Sequence, residues 1–224
     1  MSAVESTVAQ TAAGLRITEI FRSLQGEALS AGAPTVFVRL TGCPLRCTYC
    51  DTEYSFTGGE RRSMDEILST VQAFETRHVC VTGGEPLAQP ACIELLKALC
   101  DLGHEVSLET SGALDVSAVD PRVSKVLDLK TPASNEAHRN RWANLDFMST
   151  HDQIKFVVCD KQDFDWAVAC INDRSLTELC TVWMSPSHDD LAPGELADWI
   201  LDTGLPIRLQ VQLHKYLWGD VRGK

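Results

Sequence analysis

Eight short apolar runs rich in β-branched and aromatic residues recur along the 224-residue chain, and segments with helical spacing fall between them. The runs are "LRITEIF" (15–21), "TVFVRL" (35–40), "HVCVT" (78–82), "HEVSLE" (104–109), "SKVLDL" (124–129), "QIKFVV" (153–158), "LCTVWM" (179–184) and "PIRLQVQL" (206–213). The clearest helix begins at Ser63, with Glu66 three residues on as a capping box, and runs through "DEILSTVQAFE". "PACIELLKALCDLG", closed by Gly103, "QDFDWAVACIND" and "PGELADWILDTG" are further helices, while "NEAHRNRWANLD" reads as an irregular connection. Strands alternating with helices build βα units around a parallel sheet, barrel-like or doubly wound, in one domain over residues 1–224. The first 14 or so residues are expected to be flexible, and no internal repeat or linker is visible.

Parallel α/β folds gather their chemistry at the carboxyl ends of the strands. Polar clusters follow six of the runs: "TGCPLRCTYCDT", "TGGEP", "ETSG", "LKTP", "MSPSHDD" and "QLHKY". One face of the sheet is therefore expected to hold a site. With 31 acidic against 20 basic residues, a net charge of -11 disfavours a protein that grips phosphate backbones and points to a small-molecule substrate, not a nucleic acid. No run is long and apolar enough to span a membrane, and the opening residues resemble no export signal, so a cytoplasmic protein is expected.

Nine cysteines in such a chain are expected to be reduced thiols. Six are scattered through apolar stretches and read as small buried hydrophobes. Cys43, Cys47 and Cys50 instead cluster beside Gly42 and Pro44, residues that favour a loop. Structural zinc takes four ligands, and the candidates for a fourth, His78 and His104, lie outside the local spacing of a finger or ribbon. A [4Fe-4S] cluster held by three thiolates keeps one iron open to a ligand that can become a reactant.

The spacing C-x3-C-x2-C, with Tyr49 before the last cysteine, resembles the signature of the radical S-adenosylmethionine superfamily. That resemblance implies that the open iron chelates the methionyl part of S-adenosylmethionine, whose reductive cleavage gives a 5'-deoxyadenosyl radical, so no side chain needs a covalent catalytic role. "TGGEP" resembles the superfamily motif that meets the amino group of this cofactor, which places Gly83, Gly84 and Glu85 at the cofactor. Alone, those glycines would be an ordinary strand-to-helix turn.

Outside the cluster motif, "EIFRSLQGE", "GAPTVFVRL", "CDTEYSF" and "LHKYL" together resemble the 7-carboxy-7-deazaguanine synthase family, from about Glu19 to about Trp218. The resemblance implies a shortened, partial (β/α) TIM-like barrel of the radical SAM type, assembled as a homodimer and served by an external one-electron reductant of flavodoxin or ferredoxin type. It implies a lyase reaction on 6-carboxy-5,6,7,8-tetrahydropterin, with ring contraction and loss of ammonia, in queuosine and 7-deazapurine biosynthesis. It places Leu24, Gln25, Gly26, Glu27, Arg39, Thr82, Gln212 and His214 at the pterin, with Glu27 accepting from an amino group and a ring N–H and Arg39 pairing with the substrate carboxylate. Thr52 is implied as a ligand of Mg2+, and Glu109, Ser111, Lys130 and Ser185 as contacts of S-adenosylmethionine. Four positions depart from the family pattern: Ala28 for a glycine, Ser111 for an asparagine, "DLK" for "SPK", and Leu213 for a threonine. Two other readings fit part of the chain. A glycyl-radical-enzyme activase would share the cysteines and "GGEP" without needing "QGE" or "HKY", and a non-enzymatic zinc or iron-sulfur module would need only the cysteines.

Overall fold

The computed structural model describes residues 14–188, 190–219 and 221–223. The flexible segment expected at the start of the chain falls, Gly14 apart, outside them. Nine strands form one sheet: β1 (Leu15–Leu24), β2 (Pro34–Leu40), β3 (Glu60–Arg62), β4 (His78–Gly83), β5 (Glu105–Thr110), β6 (Ser124–Asp128), β7 (Gln153–Val158), β8 (Thr181–Pro186) and β9 (Ile207–Leu209). Their order is β3-β1-β2-β4-β5-β6-β7-β8-β9. From β2 to β9 every neighbouring pair is parallel, and β1 runs antiparallel to both β2 and β3. No pairing joins the two outer strands among the described residues, so the sheet is a barrel left open, as expected of a partial one.

The strands β4 and β8 are buried without alternation because both faces of the sheet are covered there. Val79 through Thr82 in β4 and Val182 through Ser185 in β8 are all buried. Four helices lay apolar stripes on the sheet: α1 (Met64–Gln72), α2 (Cys92–Asp101), α3 (Lys161–Asp173) and, after the short α4 (Leu176–Leu179), α5 (Pro193–Thr203). Their buried residues follow helical spacing, as with Phe164, Ala167 and Ile171 of α3. At the start of α1 the expected capping box is complete. Ser63 Oγ accepts from the Glu66 N–H at 3.3 Å, and the Glu66 carboxylate accepts from the Ser63 N–H at 2.7 Å.

The irregular connection expected after β6 carries two 3-10 turns, Ala137–Arg139 and Trp142–Phe147. Two elements differ from expectation. The last strand stops at Leu209 instead of reaching 213, because Gln210 and Gln212 turn their side chains to Glu27, and Leu213–Trp218 forms a terminal helix, α6. β3 is too short to leave a periodic trace in the sequence.

Candidate functional site

The carboxyl ends of the parallel strands open on a cavity of about 530 Å³, and all six polar clusters contribute to its wall. Cys43, Cys47 and Cys50 line it, and they are the only cysteines that do among the described residues. Their loop is fastened on both sides by hydrogen bonds. Gly84 N donates to Leu40 O at 3.2 Å and Glu85 N to Gly42 O at 2.8 Å. On the other flank Thr48 Oγ1 donates to Ala133 O at 2.7 Å and Arg46 N to Glu136 Oε1 at 2.6 Å. Gly84 is required here because any Cβ would collide with the Gly42 carbonyl and Cys43.

The three thiols are free and half-buried. Burial pushes each above the usual thiol range, Cys47 to about 11, so they need a metal to become thiolates. No group of three or more His, Cys, Asp or Glu among the described residues is gathered tightly enough for a single metal ion. A cluster spreads its thiolates over separate corners, so this donor set suits a [4Fe-4S] centre better than a mononuclear zinc.

Among the residues expected at the cofactor, Gly83, Gly84, Ser111, Lys130 and Ser185 line the cavity. Glu85 does not, and its role needs correcting. Its carboxylate is fully buried, with Oε1 accepting from Thr110 Oγ1 (2.8 Å) and Leu87 N (3.1 Å), and Oε2 from Ser111 N (2.7 Å) and Ser111 Oγ (2.5 Å). Every lone pair is taken, so Glu85 clamps the "GGEP" loop to the "ETSG" loop and has none left for a ligand. Glu109 also moves. It accepts from Gln25 Nε2 (3.3 Å) and Thr82 Oγ1 (3.2 Å), both expected at the substrate. Burial, then the charge of Glu27, raises its carboxyl above the usual range.

Leu24, Gln25, Glu27, Arg39, Thr82, Gln212 and His214 meet on the cavity wall as expected. Gly26 lies behind it. A Cβ there would collide with the His214 ring, and its carbonyl accepts from Leu213 N at 3.1 Å, so the glycine lets the C-terminal segment close against the "QGE" turn. Burial lowers His214 below the usual imidazole value. Arg39 is held by Nε to Glu19 Oε1 at 2.8 Å, an oxygen that also accepts from the Tyr54 hydroxyl. Glu27 is not a solvated loop carboxylate. It accepts from Lys155 Nζ (2.8 Å), Gln210 Nε2 (3.0 Å) and Gln212 Nε2 (2.9 Å). Burial opposes its charge, but Lys155 and these hydrogen bonds win and hold it below the usual carboxylate value. Thr52 Oγ1 donates to Asp51 Oδ1 at 2.7 Å, and the other Asp51 oxygen accepts from Gln212.

Sequence reasoning missed Lys155, Asp128 and Asp51. Lys155 and Asp128 face each other in the register of β6 and β7, and Lys155 Nζ is 3.4 Å from Asp128 Oδ2. Asp128 Oδ1 lies 3.1 Å from Lys130 Nζ without the alignment of a hydrogen bond and has no other partner among the described residues. The ammonium of Lys130 sits 5.6 Å from the centre of the Tyr49 ring, whose buried hydroxyl is also without a partner there. A lone charge inside an apolar run was the signal available. An oxygen and a hydroxyl left unpaired beside a cavity mark it as built for a polar occupant.

The radical SAM superfamily matches residues 37–173. The chain is 44% identical to the 7-carboxy-7-deazaguanine synthase of Chlorobaculum tepidum over 95% of this chain and 99% of that protein. It is 40% identical to the synthase of the same name from Koribacter versatilis, over 91% and 97%. Among solved structures, QueE from Escherichia coli superposes with a TM-score of 0.75 at 24% identity, covering 90% of this chain and 95% of that one, a likeness of fold. On the strength of its full-length similarity and its cysteine loop, the chain belongs to the 7-carboxy-7-deazaguanine synthase family of the radical SAM superfamily.

Proposed function

We propose that the chain is a lyase that converts 6-carboxy-5,6,7,8-tetrahydropterin to 7-carboxy-7-deazaguanine and ammonia, in queuosine and 7-deazapurine biosynthesis. Membership of the superfamily brings a [4Fe-4S] cluster and S-adenosylmethionine with it. The observation that carries the substrate is one cavity lined by the three thiols, a guanidinium fixed from behind and two partly buried carboxylates. When bound, the cluster and its cofactor supply a 5'-deoxyadenosyl radical that removes a hydrogen atom from the substrate. The chain's own residues position that hydrogen. Arg39, anchored through Nε, offers its remaining N–H groups to the substrate carboxylate. Glu27 Oε2 is filled by Lys155 and Gln210, while Oε1 accepts only from Gln212, so Glu27 takes one further N–H and Glu109 beside it takes another.

Mg2+ fits the same reading. Thr52 would supply a hydroxyl oxygen to such an ion beside the substrate carboxylate, an all-oxygen set of the kind it prefers. Thr52→Ala should blunt the response of turnover to added Mg2+ while leaving the cluster intact, and unchanged metal dependence would place the ligand elsewhere. The enzyme works as a homodimer, with an external one-electron reductant of flavodoxin or ferredoxin type, in the cytoplasm. Exposed Tyr216, Leu217 and Trp218 supply apolar surface for a second copy, and no described helix is long and apolar enough to cross a membrane. Anaerobic incubation with S-adenosylmethionine, reductant and carboxytetrahydropterin, followed by mass analysis, tests the whole. The reading requires 7-carboxy-7-deazaguanine and ammonia, formed in equal amounts and only when S-adenosylmethionine and reductant are both present; cluster-loaded enzyme that forms no deazaguanine under these conditions would sink it.

A further inference from the structure

We propose that Lys155 reads the pterin carbonyl. Together with Glu27 it presents a hydrogen-bond donor beside an acceptor, and this pair selects an oxo group over an amino group on the pyrimidine ring. The inference rests on the pterin reading above and adds the residue that sets ring specificity.

Lys155 lies on the cavity wall with its side chain 12% exposed. An ammonium has three N–H bonds. One goes to Glu27 Oε2 at 2.8 Å and a second points towards Asp128 Oδ2 at 3.4 Å, while the third has no acceptor among the described residues. Those two carboxylates also fix Nζ in place, so the free N–H has a defined direction instead of sweeping the cavity. Lys130 cannot take this role, since its ammonium packs over Tyr49 and against Asp128.

The chemistry of the ring supplies the match. On the pyrimidinone edge of a pterin a carbonyl, which accepts, sits next to a ring N–H, which donates, followed by an amino group that also donates. Lys155 beside Glu27 offers the complementary order of donor, then acceptor. A 2,4-diaminopteridine inverts the first two positions: an amino group faces the ammonium and a bare ring nitrogen faces the carboxylate. Both contacts then become repulsive in a site shielded from water, where unpaired or opposed polar groups cost most. Gln210 and Gln212 support the device from behind, because their N–H groups hold the Glu27 carboxylate beside Lys155.

Calorimetric titration of the anaerobic, cluster-loaded enzyme with 6-carboxypterin and with 6-carboxy-2,4-diaminopteridine tests this without turnover. The parent enzyme should prefer the oxo ring by about 100-fold, and Lys155→Met, which leaves the Glu27 contact with the ring N–H, should reduce that preference to about tenfold. A purely structural lysine would weaken both ligands together and keep the ratio, which would overturn the proposal, as would a parent enzyme indifferent to the two rings. If the parent binds neither pterin, the substrate reading fails along with it. If it binds and prefers the oxo ring and Lys155→Met is equally selective, the role of Lys155 fails alone. Should Lys155→Met not fold, the double variant Lys155→Met/Glu27→Gln removes both charges of the pair and is judged by the same ratio.

Discussion

Two buried lysines on neighbouring strands show what separates a structural ion pair from a site. Lys125, at the amino end of β6, lies 3.0 Å from Asp152 Oδ2, with side chains 5% and 0% exposed. Asp152 also accepts from Lys125 N (2.7 Å), Ser149 N (2.8 Å) and Ser149 Oγ (2.9 Å), so both of its oxygens have hydrogen-bond partners within the protein. Lys155 of β7, on the cavity, is 12% exposed and has two carboxylates near it, yet one of its N–H bonds has no acceptor and one Asp128 oxygen, though near Lys130, accepts no hydrogen bond among the described residues. The residue types are the same. The closed pair fixes the loop before β7, and the open one keeps its surplus hydrogen-bonding capacity for a ligand.

That contrast can be broken experimentally, and the largest effect concerns the cysteines at the two ends of the sheet. Cys50→Ala should abolish the iron-sulfur absorbance, while Cys180→Ala, a buried thiol at the amino end of β8, should keep it; loss of the cluster in both would refute the three-ligand loop. Removing the closed pair comes next. Asp152→Ala strands a buried ammonium and should cost about 3 to 5 kcal/mol of stability, with the specific activity of the folded fraction unchanged. A variant that stayed stable but lost activity would reverse the assignment of the two pairs.

Glu27→Gln should do the opposite. It puts an amide donor where the substrate donates and should weaken carboxypterin binding by roughly 2 to 4 kcal/mol, about 30-fold to 1,000-fold, with cluster assembly intact. An unchanged dissociation constant by anaerobic calorimetry would remove Glu27 from the substrate. The pH dependence should be weaker still. Because Glu27 is held below the usual carboxylate value, its charge is fully present above that value and is lost only as pH falls through the depressed one. Any fall in carboxypterin affinity between about pH 8 and about pH 5 should therefore come from Glu109, whose carboxyl is raised, or from His214, and vanish when both are replaced by Gln; a fall that persists there would mean that Lys155 does not hold the Glu27 charge. The smallest effect lies at Ala28, which adopts φ +63°. This is where the family resemblance calls for glycine, and Ala28→Gly should raise stability by about 1 kcal/mol in chemical denaturation.

What the sequence showed and what it hid follow from the range of each signal. The cysteine spacing, the capping box at Ser63 and the loops after the strands are local, so a single chain displays them. Glu85 and Glu109 were placed in the right loops, but their partners come from other strands, and only those partners show that one is a clamp and the other stands with Gln25 and Thr82. Lys155 and Asp128 were hidden most deeply. Each is one charge in an apolar run, and its meaning depends on a register between β6 and β7 that no composition or periodicity encodes. The run at 206–213 misled for a related reason: its glutamines alternate as in a strand, but they leave the ladder for Glu27.

The closure of His214 and Leu213 against Gly26 bears on the order in which the protein is made. Translation proceeds from one end, so the cysteine loop leaves the ribosome on the order of ten seconds before Gln212 and His214. During that interval the nascent chain can already hold its metal loop against the strands made so far, but the wall of the pocket that meets the substrate does not yet exist. The residues that close the chamber over the substrate side are thus made well after the loop that would hold the cluster.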